Sequence, residues 1–123
     1  MDKGNVEVAP EIYAPHFVSH QHSHPHVRDV RGLSALIAFV REFREAFPDF
    51  HDSIDDQIAE GDKVVTRFTS TGTHRGVLMG LEPTNKRATW MGIVIDRIEQ
   101  GKIVEEWVSW DLFGMMQQLG RTS

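Results

Sequence analysis

From Asp49 to Trp110 the chain consists almost entirely of extended segments separated by turn signals, and this half of the sequence most restricts the possible folds. Phe50, Asp52, Ile54, Asp56 and Ile58 alternate, imperfectly, with their neighbours up to Glu60-Gly61-Asp62, a turn signal. Lys63 to His74 is rich in Val, Thr and Phe, side chains that suit a pleated surface. Residues 75–86 hold glycines and a proline and read as a loop. A further strand from Arg87 to about Glu99 turns at Gln100-Gly101 into a last strand rich in aromatic residues, which stops at Asp111. The whole span reads as antiparallel sheet.

Ahead of the sheet, Leu33, Leu36, Ile37, Val40, Phe43 and Phe47 fall at steps of three and four, with Arg41, Glu42, Arg44 and Glu45 on other faces. This predicts an amphipathic helix that ends at Pro48, because a residue before proline is pushed out of the α region. Asn5 is a plausible N-cap for a short helix through Val6, Ala9, Ile12 and Tyr13, irregular where Pro10 and Pro15 interrupt it. Residues 16–32 read as a histidine-rich loop. After Asp111 a short helical segment runs to Gly120, a C-terminal cap. Helices, then about four long strands, then a short helix make an α+β domain. A curved sheet with helices on one face leaves a cavity between the layers.

The chain has 123 residues with 40% hydrophobic content, the size of one domain with a real core, so residues 1–123 read as a single unit. Its net charge of −5 argues against a nucleic-acid partner or an anionic membrane surface. The absence of cysteine excludes disulfides, thiolate catalysis and Cys-ligated metals. No apolar run approaches the ~18–20 residues of a membrane span, and Met1-Asp2-Lys3-Gly4-Asn5 lacks the apolar core of a signal peptide. A cytoplasmic protein is expected.

Asp111 is the chemically sharpest position. On a regular strand Glu105, Trp107, Ser109 and Asp111 share a face, and an acid among tryptophans on an inward face has a raised pKa. Directly before Leu112, the same aspartate is also a good helix N-cap, an environment that lowers the pKa. His74, at a strand end, either orients a substrate carbonyl or bonds a loop. Asp96 shares a face with Trp90, Gly92 and Val94, and is desolvated only if that face is inward. Trp90, Trp107, Trp110 and Phe68 line a flat pocket or fill the core. His20, His22, His24 and His26 alternate, but no acidic residue is interleaved, so a solvated loop is expected there and no metal site.

Three pieces of the chain occur together in order: Ile58 to Phe68, Thr71 to Lys86, and Gly92 to Trp107 followed by Asp111. In them the chain resembles the SnoaL-like polyketide cyclases of the nuclear-transport-factor-2-like superfamily, which also holds ketosteroid isomerase. The resemblance implies a cone-shaped fold around an apolar pocket. It also implies cofactor-free acid/base chemistry on a small apolar carbonyl compound, such as an intramolecular aldol closure. A non-catalytic ligand-binding or dimerisation module of the same fold is the alternative. The family's catalytic aspartate matches Asp111, His74 is the candidate partner, and Asp96, Trp90, Trp107, Phe68 and His20 are the candidate pocket residues. The family begins with a full helix of which only Met1 to Gly4 could remain here. That implies a cone open at one end or closed by a second subunit, and hence a homodimer.

Overall fold

The computed structural model describes residues 9–21 and 29–120. After a one-turn helix α1 (Ala9–Ile12) come strands β1 (Tyr13–Gln21) and β2 (Val30–Arg31), then helix α2 (Gly32–Ala46). The long strands β3 (His51–Glu60), β4 (Lys63–Thr73), β5 (Arg87–Glu99) and β6 (Lys102–Trp110) follow, and α3 (Leu112–Gln118) closes the described chain. The six strands form one curved, unclosed sheet in the order β2-β1-β6-β5-β4-β3. The α+β class and the four long strands agree with the sequence expectation; β1 and β2 extend the sheet beyond it.

The extension is a correction. Residues 13–21 form a strand, not a histidine-rich loop, paired in parallel with β6 through Val18↔Glu105, Ser19↔Glu106 and His20↔Trp107. Phe17 and Ser19 are buried and alternate with Val18 and His20, a period of two that the histidine content obscured. His22, His24 and His26, and the expected cap at Asn5, lie outside the described residues.

The imperfect alternation noted in the first long strand is a β-bulge. Ile54 pairs with Phe68 and Asp56 with Arg67, so Asp55 is the extra residue. The bulge reverses the facing of everything after it: Ile54 shares the face of Phe68, whereas Ile58 pairs with Val65 on the other. Glycine has a packing role at Gly92, between Phe68 and Trp110. A Cβ there would stand 2.5 Å from the Phe68 ring and 2.7 Å from the Trp110 Cβ.

Helix α2 lays its apolar stripe on the concave face of the sheet. Phe43 sits at the centre of an aromatic cluster, with ring centroids 5.3 Å from Phe47, 5.2 Å from Phe50, 5.9 Å from Trp90 and 6.1 Å from Trp110. Such tilted and edge-to-face contacts contribute ~0.5–1.5 kcal/mol each beyond area burial. Two core clusters result: Phe47, Trp90, Leu112 and Met115 belong to one, and Phe17, Val30 and Leu36 to the other. No described helix is long and apolar enough to cross a membrane.

Candidate active site

Between α2 and the concave face lies a cavity of about 230 Å³. Its walls are mainly apolar: Leu36, Phe39 and Val40 from the helix, and Phe68, Trp90, Val108 and Trp110 from the strands. Cross-strand register places polar side chains at two separate rows on this face. One row aligns Ser19, Glu106 and Asp96 across β1, β6 and β5. The other aligns Asp52, Ser70 and Trp90 across β3, β4 and β5.

The first row is a chain of hydrogen bonds. The Gln21 Nε2 amide donates to Ser19 Oγ at 2.6 Å, the Ser19 hydroxyl bonds to Glu106, and the Glu106 and Asp96 carboxyls bond to each other. Two carboxyls bonded together in a desolvated place cannot both ionise cheaply, so they keep a proton between them. Burial is the larger cause of the upward shift of Glu106, and its bond to Asp96 adds to it; its pKa is pushed up to about 9. Asp96 is also raised by burial, while the bond to Glu106 pulls it down. The pair therefore holds a proton near neutrality, with Glu106 raised by burial and by its bond to Asp96. Tyr13 lines the same end of the cavity, and its phenol pKa is raised by burial, then by the charges of Glu106 and Asp96, so it stays a neutral donor.

At the second row the Ser70 hydroxyl donates to Asp52. Arg44, from the last turn of α2, donates from Nη1 to the Phe50 carbonyl at 2.9 Å, and its guanidinium stands 5.3 Å from the centre of the Phe50 ring. Arg44, Asp52 and Ser70 all line the cavity.

Of the residues singled out from sequence, Phe68, Trp90 and Trp110 line the cavity, and Asp96 reaches it through Glu106. The others stand elsewhere. Trp107 and His20 are on the opposite face of the sheet, stacked with ring centroids 5.6 Å apart. There His20 bridges Glu105 at 2.7 Å and Asp29 at 3.0 Å, contacts that raise its pKa. His74 is buried at the end of β4, its Nδ1 accepting the Thr84 N–H at 3.2 Å, and it holds the 75–86 loop to the sheet. Burial lowers its pKa. Asp111 is exposed and caps α3, its Oδ1 accepting the Gly114 N–H at 2.8 Å. The expected inward face of β6 is thus shifted by one residue: Glu106, Val108 and Trp110 point into the cavity in place of Glu105, Trp107 and Ser109. Sequence reasoning passed over Glu106 because Glu105 and Glu106 are adjacent, and only the pairing with β5 sets the phase of the strand. The signal was the Trp90, Gly92, Val94, Asp96 face, to which antiparallel pairing joins Glu106. Among the described residues, no group of three His, Cys, Asp or Glu is placed to hold a metal ion.

A sequence profile of the SnoaL-like polyketide cyclases matches residues 1–119. The chain belongs to the SnoaL-like polyketide cyclase family. Solved structures agree with this family placement. IdmH of Streptomyces antibioticus, a proposed polyketide cyclase, is 29% identical with a TM-score of 0.82, over 98% of this chain and 90% of that one. A proposed SnoaL-like polyketide cyclase from Jannaschia sp. CCS1 is 25% identical with a TM-score of 0.87, over 99% and 87%. AclR from Streptomyces galilaeus, a proposed hydroxylase, is 25% identical with a TM-score of 0.84, over 99% and 78%. A search of curated protein sequences gives no match. The neighbours thus carry more than one proposed reaction type on one fold, so the chemistry has to be argued from the cavity.

Proposed function

We propose that this SnoaL-like protein is a cofactor-free enzyme that performs acid/base chemistry on a small, largely apolar carbonyl compound, with Glu106 rather than Asp111 as the proton carrier. The observation that supports this reading is a half-buried, mutually hydrogen-bonded carboxyl pair, Glu106 and Asp96, opening into an aromatic-walled cavity. A carboxyl that stays protonated near neutrality donates to a carbonyl oxygen as negative charge develops there. Tyr13 offers a second neutral donor at the same end. In an aldol closure a proton leaves the carbon next to one carbonyl, the enolate carbon bonds to a second carbonyl carbon, and the resulting alkoxide takes up a proton. A pair holding one proton can accept the first and return the second, so it ends the cycle as it began.

Exchange of the α-protons of 2-tetralone for deuterium, followed by NMR, tests the first half-reaction without the natural substrate. The wild type should accelerate exchange, and Glu106→Gln should reduce it by ~10²-fold or more. Exchange no faster than in buffer, or unchanged in Glu106→Gln, would refute the assignment. Binding of the ketone without exchange would favour a ligand-binding module.

A homodimer belongs to the same proposal. On the face away from the cavity, Ile58, Val65, Ile95 and Trp107 stand in register across four strands, beside Ile93 and Met91. Ile58, Met91 and Ile93 are 64%, 59% and 48% exposed, an apolar surface that suits a second copy of the chain. Light scattering should give twice the chain mass, and Ile93→Asp should halve it. A monomeric wild type would overturn this part.

A further inference from the structure

We infer that the side-chain amide of Gln21 is a further substrate contact of the cavity, holding the second oxygen of the aldol closure while the first carbonyl lies at the Glu106–Asp96 pair. The inference rests on the proposed role of that pair for the place of the first carbonyl, and assigns the residue that meets the alkoxide.

Register puts Gln21 within reach. Gln21 follows Ser19 on the same face of β1, and the two stand beside Val108 and Glu106 of β6. All four line the cavity. Gln21 Nε2 donates to Ser19 Oγ at 2.6 Å and Ser19 bonds to Glu106, so two hydrogen bonds in series put the amide nitrogen within about 5 Å of a Glu106 oxygen. The backbone N–H of Gln21 is taken by Asp29 Oδ1 at 3.3 Å. The second Nε2 hydrogen and Oε1 have no partner among the described residues. A half-buried amide on a wall shared with Val30, Leu36 and Val108 thus offers one donor and one acceptor to whatever fills the cavity.

The spacing matches the bond that an aldol closure makes. The carbon next to one carbonyl joins the carbon of another, so the two oxygens end on carbons separated by one carbon. In an extended arrangement such oxygens stand about 5 Å apart. With one oxygen at the carboxyl pair, the other reaches the free N–H of Gln21. As the C–C bond forms, the π electrons of the second carbonyl move to its oxygen, and a donor already in place stabilises that alkoxide. The alkoxide then takes from the carboxyl pair the proton removed earlier from the α-carbon, so Gln21 neither loses nor gains one. The hydroxyl so formed can donate to Oε1. One side chain therefore stabilises the alkoxide and binds the β-hydroxy ketone, whereas a simple ketone leaves it without a contact.

Calorimetric titration with 1-indanone and the tighter-binding enantiomer of 3-hydroxy-1-indanone tests this. The two share a ring system, and only the second carries an oxygen β to its ketone. The wild type should bind the hydroxy ketone about tenfold more tightly. Gln21→Met, similar in length but without the amide, should bring that preference to within about twofold. Gln21→Asn keeps an amide but withdraws it by one carbon, about 1.5 Å, and should show a preference of about threefold or less. It serves if the methionine variant does not fold. Equal affinities in the wild type, binding of neither compound, or a preference that survives in both Gln21 variants would each overturn the inference. The deuterium-exchange test uses 2-tetralone, which has no second oxygen. Failure of exchange with the preference intact would refute the chemistry at the carboxyl pair and leave the contact at Gln21 standing, whereas exchange without the preference would refute Gln21 alone.

Discussion

Glu106→Gln should flatten the loss of folding stability that the protein undergoes as pH rises above neutrality. In the fold, burial and the bond to Asp96 move the Glu106 carboxyl from its ordinary value of 4.5 to about 9. A folded pKa above the unfolded one contributes stability that is fully present below the unfolded value and lost as pH rises through the folded one. Each pH unit inside that window costs ~1.4 kcal/mol. Between about pH 7 and about pH 8.5 the wild type should lose roughly 2 kcal/mol relative to the variant. Asp96, raised by burial, shifts stability in the same direction, and the glutamine amide can still donate to it. Tyr13 and Ser19, which face the pair from β1, carry no charge in this range. His20 and His74 titrate in both proteins and cancel in the difference. The assay is urea unfolding of both proteins over that pH range, reading midpoints and slopes. Parallel curves would refute the claim that the proton on Glu106 is held by the fold.

Two further substitutions separate structural from chemical roles. Asp111→Ala should cost ~1 kcal/mol by removing the cap of α3, and Asp111→Asn much less, because asparagine caps nearly as well. Deuterium exchange by both variants should match the wild type, whereas its disappearance in Asp111→Asn would return the proton-carrying role to that aspartate. For His74, lowered by burial, the sign reverses: its contribution is whole above its ordinary 6.5 and is lost as pH falls below that value. His74→Gln should cost ~1–3 kcal/mol at neutral pH and flatten the acid limb of the stability curve; an unchanged acid limb would show that the ring ionises freely in the fold.

The architecture was legible because its signals are local and repeated. The helical stripe from Leu33 to Phe47, the turn at Gly61 and the turn at Gly101 each act over a few residues, and α2, β3–β6 and α3 follow from them. Strand β1 was concealed because its exposed positions carry histidines. The pairing with β6 that holds it lies about ninety residues away in the chain. Asp111 illustrates the same limit at the site: its position before α3 was readable, and both of its candidate environments could be stated, but the choice between them depended on packing.

The sequence by itself determined an acidic, cysteine-free α+β domain with an aromatic-lined interior, because composition and periodicity act along the chain. It also carried enough of the pattern in Ile58 to Phe68, Thr71 to Lys86 and Gly92 to Trp107 to identify the SnoaL-like family. Only the tertiary structure decided which of Glu105 and Glu106 faces the cavity. The two are equivalent in sequence, and a one-residue change in strand phase exchanges every inward side chain for an outward one. Register with Asp96 on one side and Ser19 on the other put Glu106 on the cavity face, bonded to both, and left Glu105 to pair with His20 on the outer face.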